Sequence, residues 1–377
     1  MLILAAVMAI FVYGMIAAML GTILPGLSSR FSLTPKQNGS IAFAQALGLI
    51  VASVATGPLI DNQGKKLGLI IGLALIAIAL ISLPRSGGFG SIAALMFVLG
   101  FGGGVVVTGA NALVGDVGET TRATALNLVN LFFGLGGMVT PFISANLLKR
   151  DIVKICYAAG VFAVLALAVQ VLAPIPPPTG AQSFVLAEAG AVLGKPILLM
   201  LALSLFLYVS CEVGIWNWLV QHLMAQGMPE SKALNVLSLG FALGMLVGRV
   251  AVSPILITVA PETVTLAAAV LMAITSYLVL GAKDVKTAWI LVFLAGVAMA
   301  PVFPTTLAIV VRAFPRMTST AIGLAITGGW VGLAVSSRII GAIAGGDTKR
   351  LKKALLIIPA FSVLMAVINL AVRAMLS

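Results

Sequence analysis

GPLIDNQGKK, Gly57 to Lys66, is a short charged turn set between two long apolar runs. Each residue type in it has a physical use. A glycine at position 57 lets two helix ends approach closely. Asp61 can pair with a cation or cap a helix start. Lys65 and Lys66 suit a membrane surface rich in anionic lipid. Read blandly, the stretch is a solvated turn that only joins two helices.

Working outward, the 377-residue chain is 61% hydrophobic and 8% charged, with a mean hydropathy of +1.20. That leaves too little polar surface to cover a water-soluble globule. Apolar runs of about 20 residues or more recur along its length, and each can cross a hydrocarbon core of about 30 Å as a helix. The runs are continuous rather than alternating, which argues against a β-barrel. A net charge of +12 could suggest nucleic acid, but the charges sit in short turns and point to lipid head groups. Cys156 and Cys211 lie inside apolar runs, as buried small hydrophobes do. The first run lacks a basic leader and continues to Pro25 and Gly26, too long for the core of a signal peptide, so it reads as a span.

Breaking the chain at charged and Gly/Pro-rich turns gives twelve candidate spans. They cover about 2–27, 37–60, 66–84, 90–114, 122–147, 152–173, 196–223, 232–254, 263–281, 287–311, 318–344 and 353–376. PIPPPTGAQ, from Pro174 to Gln182, opens a semi-rigid spacer that runs to Lys195 and separates two six-helix halves. The halves look like copies. An offset of 196 carries LMFVLGF (Leu95–Phe101) onto LVFLAGV (Leu291–Val297), and Thr124, Ala125 and Gly136 onto Thr320, Ala321 and Gly332. Chance likeness between apolar segments competes with that reading, but repeated halves that rock about a midplane site suit a transporter. Pro301 and Pro304 remove backbone donors from the tenth span and predict a kink.

Set after the second of twelve spans, Gly57, Leu59, Asp61, Gly64, Lys65 and Lys66 resemble the turn between helices 2 and 3 of the major facilitator superfamily. The expected fold is therefore an all-α membrane protein of twelve helices in two pseudo-symmetric halves, 1–173 and 196–377, joined by the linker 174–195. The resemblance implies that Gly57, Asp61, Gly64, Lys65 and Lys66 gate the cytoplasmic face, with both termini in the cytoplasm of a bacterial inner membrane. The cation count argues the other way. Turns on the 57–66 side, with the C-terminus, hold Lys65, Lys66, Arg122, Lys195, Arg249, Arg312, Arg316 and Arg373; the opposite turns hold thirteen cations, which the positive-inside rule would place in the cytoplasm.

Ionisable groups at lipid depth are costly and so are functional candidates. Glu212, in YVSCEVGIWNWL (Tyr208–Leu219), lies about 25 Å along the seventh span by helical rise. It can exchange a proton, help hold a cation, bind a solute hydroxyl, or serve as a structural acid. Arg249, Arg312 and Arg338 read as anchors that snorkel to the interface. His222 is the chain's one histidine, so a histidine metal cluster is impossible, and neither a metal nor another cofactor is expected. Gln45, Asn111, Asn127, Asn130, Asn217, Thr305 and Thr306 each need a polar partner in lipid. With Tyr208, Trp216 and Trp330 they supply amides and flat faces, which is what a polyhydroxylated solute needs. Each taken alone is equally well helix glue.

GANALVGDVGETTRATALNLVNLFFGLGGMVTP (Gly109–Pro141), YVSCEVGIWNWL and FPTTLAIVV (Phe303–Val311) resemble helices 4–5, 7 and 10 of the fucose and glucose/galactose:proton symporter branch of that superfamily. The resemblance implies sugar uptake by alternating access, with acids in helices 1 and 4 serving the proton in fucose-type members. Here FVYGMIAAMLG (Phe11–Gly21) and GGVVVTGAN (Gly103–Asn111) carry no acid, which leaves Glu212 or no coupling at all. The reading is a secondary active transporter of a small, sugar-like polar solute, with a proton or sodium ion as possible partner and the chain a monomer. Gln45, Asn130, Tyr208, Glu212, Trp216, Asn217, Thr305 and Trp330 bind solute, and Glu212 couples. The alternatives are an exporter of amphipathic drugs or lipids, a uniporter, and a non-transporting membrane scaffold. No nucleotide loop, metal cluster or nucleophile arrangement supports an enzyme.

Overall fold

The computed structural model describes residues 1–116, 120–149, 151–177, 190, 192–282, 284–344 and 348–376. Twelve helices among them are long and apolar enough to cross a membrane. The first six spans are the helices Leu2–Phe31, Pro35–Gln63, Lys65–Ser82, Phe89–Gly115, Arg122–Asn146 and Ile152–Leu172. Most of the proline-rich linker lies outside the described residues. The seventh span is Pro196–Ala225 and the ninth is Pro261–Val279. The eighth is built from Glu230–Asn235, a π-helical segment Val236–Ala242 and Leu243–Thr258. The tenth is broken into Val285–Met299 and Val302–Ala313, the eleventh is Thr318–Ala344, and the twelfth is Ile357–Leu376 with Thr348–Leu355 just before it.

Local chemistry sets these ends. Thr34 and Gln37 form a reciprocal capping box at the start of the second span, with Pro35 in its first turn. Asp151 caps the sixth span through the N–H groups of Val153 and Lys154, and Asp284 caps the tenth through that of Thr287. Gly64 alone separates the second and third spans, at φ +96°, a conformation that a residue with a side chain rarely adopts. In the tenth span Pro301 and Pro304 cannot donate to the carbonyls of Val297 and Ala300, and the helix breaks there.

The Cα positions fall into two compact units: Met1–Val117, Val129–Val192 and Phe314–Thr327 in the first; Gly118–Leu128, Leu193–Ala313 and Gly328–Ser377 in the second. The fifth and eleventh spans are each shared between the units. Within both, helices pack backbone to backbone through glycines. In the first, a Cβ on Gly48 would overlap the Phe97 carbonyl oxygen, and one on Gly100 that of Gln45. Moving each residue on by 196 gives the contacts of the second unit, where Gly244 lies against the Phe293 carbonyl and Gly296 against that of Phe241. The repeat legible in the sequence is thus a repeat of specific backbone contacts, where small residues let membrane helices close up.

Candidate functional site

The 57–66 turn is tied into the first unit by four of its residues. A Cβ on Gly57 would stand 2.6 Å from the Thr320 Cα and 2.7 Å from the Ser319 carbonyl oxygen, so the end of the second span touches the start of the eleventh. Asp61 takes up that contact. Its Oδ1 accepts from the Ser319 N–H at 2.9 Å, and its Oδ2 accepts from the Thr320 N–H at 2.8 Å and the Thr320 hydroxyl at 2.7 Å. These N–H groups belong to the first turn of the eleventh span, where an unpaired donor and the positive end of the helix dipole favour a carboxylate. Asp61 therefore caps a helix some 258 residues further along the chain.

The two lysines find protein partners where the sequence offers them to lipid. Lys65 forms an ion pair with Asp116 at the end of the fourth span. Lys66 donates to the carbonyls of Val171 at 2.7 Å and Ala173 at 3.0 Å, closing the C-terminus of the sixth span.

Polar groups inside the first unit are amides. Asn130 donates from Nδ2 to Asn111 Oδ1 at 2.8 Å, and Asn111 donates to the Val107 carbonyl at 2.8 Å; both side chains are buried. One turn beyond Asn130, Phe133 stacks on Tyr13 with ring centroids 5.2 Å apart. Gln45 is buried separately and donates to the Ile16 carbonyl at 3.3 Å.

In the second unit, Tyr208, Glu212 and Trp216 lie on one face of the seventh span at successive four-residue steps. Tyr208 is fully buried, its ring 6.3 Å from that of Phe303. Trp216 is 40% exposed and meets Phe241 edge-on at 5.3 Å. Glu212 is partly exposed between them; the Tyr208 hydroxyl lies beside its carboxyl, yet the geometry falls short of a hydrogen bond. Asn217 is exposed, and Trp330 is buried in the same unit. Thr305 is fully buried and accepts from Asn127 Nδ2 at 3.0 Å.

Arg249 corrects the sequence reading, which sets it at a helix end as an anchor. It is only 4% exposed, and its Nε donates to the Ala300 carbonyl at 3.5 Å. That carbonyl is the one left without a helical donor by Pro304, so the break in the tenth span offers the buried cation an acceptor. Arg249 and Glu212 act on each other electrostatically. Arg312 also has an acid partner, Glu262 Oε2 at 3.1 Å.

Three buried atoms near these groups have no hydrogen bond within the protein: the Tyr208 hydroxyl, the Thr306 hydroxyl and Asn127 Oδ1. An unpaired buried polar atom costs about 1–3 kcal/mol, and such atoms are few in native folds.

A family model described as Major Facilitator Superfamily matches residues 6–337. A glucose/galactose transporter of Brucella abortus biovar 1 (strain 9-941) is 26% identical over 259 residues, covering 63% of this chain, and the chain spans 63% of that relative's length. A structure of the E. coli fucose:proton symporter FucP superposes with a TM-score of 0.85 at 18% identity, covering 98% of both chains. That of the human organic anion transporter MFSD10 does so with a TM-score of 0.80 at 16% identity, again over 98% of both. At these identities the two structures share the fold.

Proposed function

The chain belongs to the Major Facilitator Superfamily, and from that membership we propose that it is a secondary active transporter which moves a small polar solute, a sugar in the first instance, by alternating access. The two halves, 1–173 and 196–377, act as the moving bodies, and Gly57, Asp61, Gly64, Lys65 and Lys66 form a gate on the cytoplasmic side. The protein works as a monomer in a bacterial inner membrane with both termini in the cytoplasm. The observation that carries the reading is the set of open hydrogen-bonding positions at Tyr208, Thr306 and Asn127 in the second unit. Neutral donors and acceptors beside aromatic rings suit the hydroxyls and C–H face of a sugar. The Brucella relative is itself named a glucose/galactose transporter.

Gln45, Asn130, Asn217 and Thr305 supply hydrogen bonds in this scheme, Tyr208, Trp216 and Trp330 the aromatic lining, and Glu212 the coupling proton. A second reading, transport of an organic anion, is favoured by the buried guanidinium of Arg249. Counterflow in proteoliposomes preloaded with D-glucose, D-galactose, L-fucose or an aromatic carboxylate separates the two. Exchange of a hexose but not of the carboxylate is the expected result. Exchange of the carboxylate alone selects the second reading, and exchange of none removes both.

A further inference from the structure

We propose that the second unit holds a binding site for an anionic bilayer phospholipid, with an acyl chain in a groove between the ninth and twelfth spans and the phosphate on Lys352 and Lys353. Two separate features lie at the same end of the second unit. The first is a shallow, open groove with Ile274, Tyr277 and Leu278 on one side and Pro359, Ala360 and Val363 on the other. Its lining is almost wholly apolar. The second is the helix Thr348–Leu355, of sequence TKRLKKAL, which adjoins the twelfth span with Leu356 as the only residue between.

That helix has two faces. Leu351, Ala354 and Leu355 are buried, whereas Lys352 and Lys353 are exposed. Leu355 shares a small cavity with Val279 and Leu280 at the end of the ninth span, which fixes the basic helix at the same end as Tyr277 and Leu278. Gln226 donates to the Leu280 carbonyl at 3.3 Å and is 2.9 Å from His222, so the seventh span also closes at this level. Asp284, the described acid on the neighbouring turn, is spent on capping its own helix at Thr287.

The chemistry selects the ligand. A short basic amphipathic helix lies at the level of the head groups, with its apolar face inward and its lysines toward phosphate. A groove of this kind on a spanning helix pair takes hydrocarbon. A water-soluble phosphate would use the lysines and leave the groove empty, and a zwitterionic lipid would use the groove but bring its own cation beside the phosphate, weakening its hold on the lysines. An anionic phospholipid uses both.

The test needs no transported solute. The purified full chain is titrated in detergent with phosphatidylglycerol or with phosphatidylcholine of the same acyl chains, and bound lipid is counted by native mass spectrometry. Phosphatidylglycerol is expected to bind more tightly. Each basic side chain near the head group contributes about fivefold, so Lys352→Gln with Lys353→Gln weakens phosphatidylglycerol about thirtyfold and phosphatidylcholine by much less, which removes most of the preference. Ala360→Trp, which fills the groove, weakens both lipids. The proposal is overturned if the lysine variant keeps its preference, if Ala360→Trp binds both lipids as before, or if glycerol 3-phosphate competes as well as the lipid does.

Discussion

Gly57 and Thr320 are joined by backbone contact, and the same place in the second half of the repeat is held differently. Moving on by 196 from Gly57, and back by 196 from Thr320, gives Ser253 and Thr124, and there the Thr124 hydroxyl donates to the Ser253 carbonyl at 2.8 Å. The second copy carries a serine side chain at this position, whereas in the first a Cβ would run into main-chain atoms. Gly57→Ala would place a methyl group 2.6 Å from the Thr320 Cα, and main-chain atoms cannot turn aside as a side chain can. We expect a loss of about 1–3 kcal/mol of stability, typical of overpacking, with Ser253→Ala near neutral. A thermal melt of both variants is enough, and equal melting temperatures would contradict the asymmetry.

Asp61 is expected to act through its charge and through its two oxygens. Asp61→Asn keeps one acceptor and loses the other, with the dipole interaction, so part of the cap on Ser319 and Thr320 opens, at a loss of about 1–2 kcal/mol. Ser319 is fully buried in the capped state. A cysteine placed there should react slowly with a water-soluble maleimide in the parent and faster with Asp61→Asn. Equal labelling rates would mean that the cap does not control access.

The ion pairs of the two units are reversed copies. Lys65 and Asp116 fall, 196 residues on, at Pro261 and Arg312, and Arg312 pairs with Glu262 beside it. In the first unit the lysine sits at a helix N-terminus and the aspartate at a C-terminus, each against the local dipole. In the second both charges are on their favoured ends. Exchanging the first pair, Lys65→Glu with Asp116→Lys, should raise stability by about 1 kcal/mol, a modest figure because Asp116 is half exposed. Each single change places like charges together and should lower it. A double variant that melts below both singles would refute the dipole argument.

How far the sequence could be read follows from the range of the forces involved. The spans are legible because a helix in hydrocarbon must be apolar along its own length, and the repeat because glycines at Gly48, Gly100, Gly244 and Gly296 are needed where backbones touch. The 57–66 turn stands out as a motif, but nothing local in it names Ser319 and Thr320 as the partners of Asp61. Arg249 misleads for the same reason. An arginine near a helix end snorkels by default, and the partners this one meets inside, among them a carbonyl freed by Pro304, lie on other spans. The amides at Asn111 and Asn130 are visible as polar residues in apolar runs; only packing shows that they satisfy each other.

That amide pair gives a test of whether the first unit's polar interior serves the solute or only the fold. Asn130→Ala removes the donor to Asn111 Oδ1 and leaves a buried acceptor open, which should destabilise by about 1–3 kcal/mol. Asn111→Ala with Asn130→Ala removes both members and should recover part of that loss. Hexose counterflow is expected to stay low in the double variant. Recovery of transport together with stability would make the pair helix glue.

Glu212 and Arg249 make the sharpest case, because the buried guanidinium acts electrostatically on the Glu212 carboxyl within the second unit. Deleting one member of a buried pair leaves an uncompensated charge and typically costs about 3–5 kcal/mol, whereas deleting both is often near neutral. Arg249→Gln should therefore melt well below the parent, and Glu212→Gln with Arg249→Gln should regain much of the difference. Transport separates coupling from balance. Glu212→Gln cannot carry a proton on a carboxyl, so hexose accumulation driven by a pH gradient should vanish while equilibrium exchange continues. If accumulation survives in Glu212→Gln, the coupling role fails even where the melting data hold. If the double variant melts no higher than Arg249→Gln, the two side chains are not energetic partners and the charge balance fails instead.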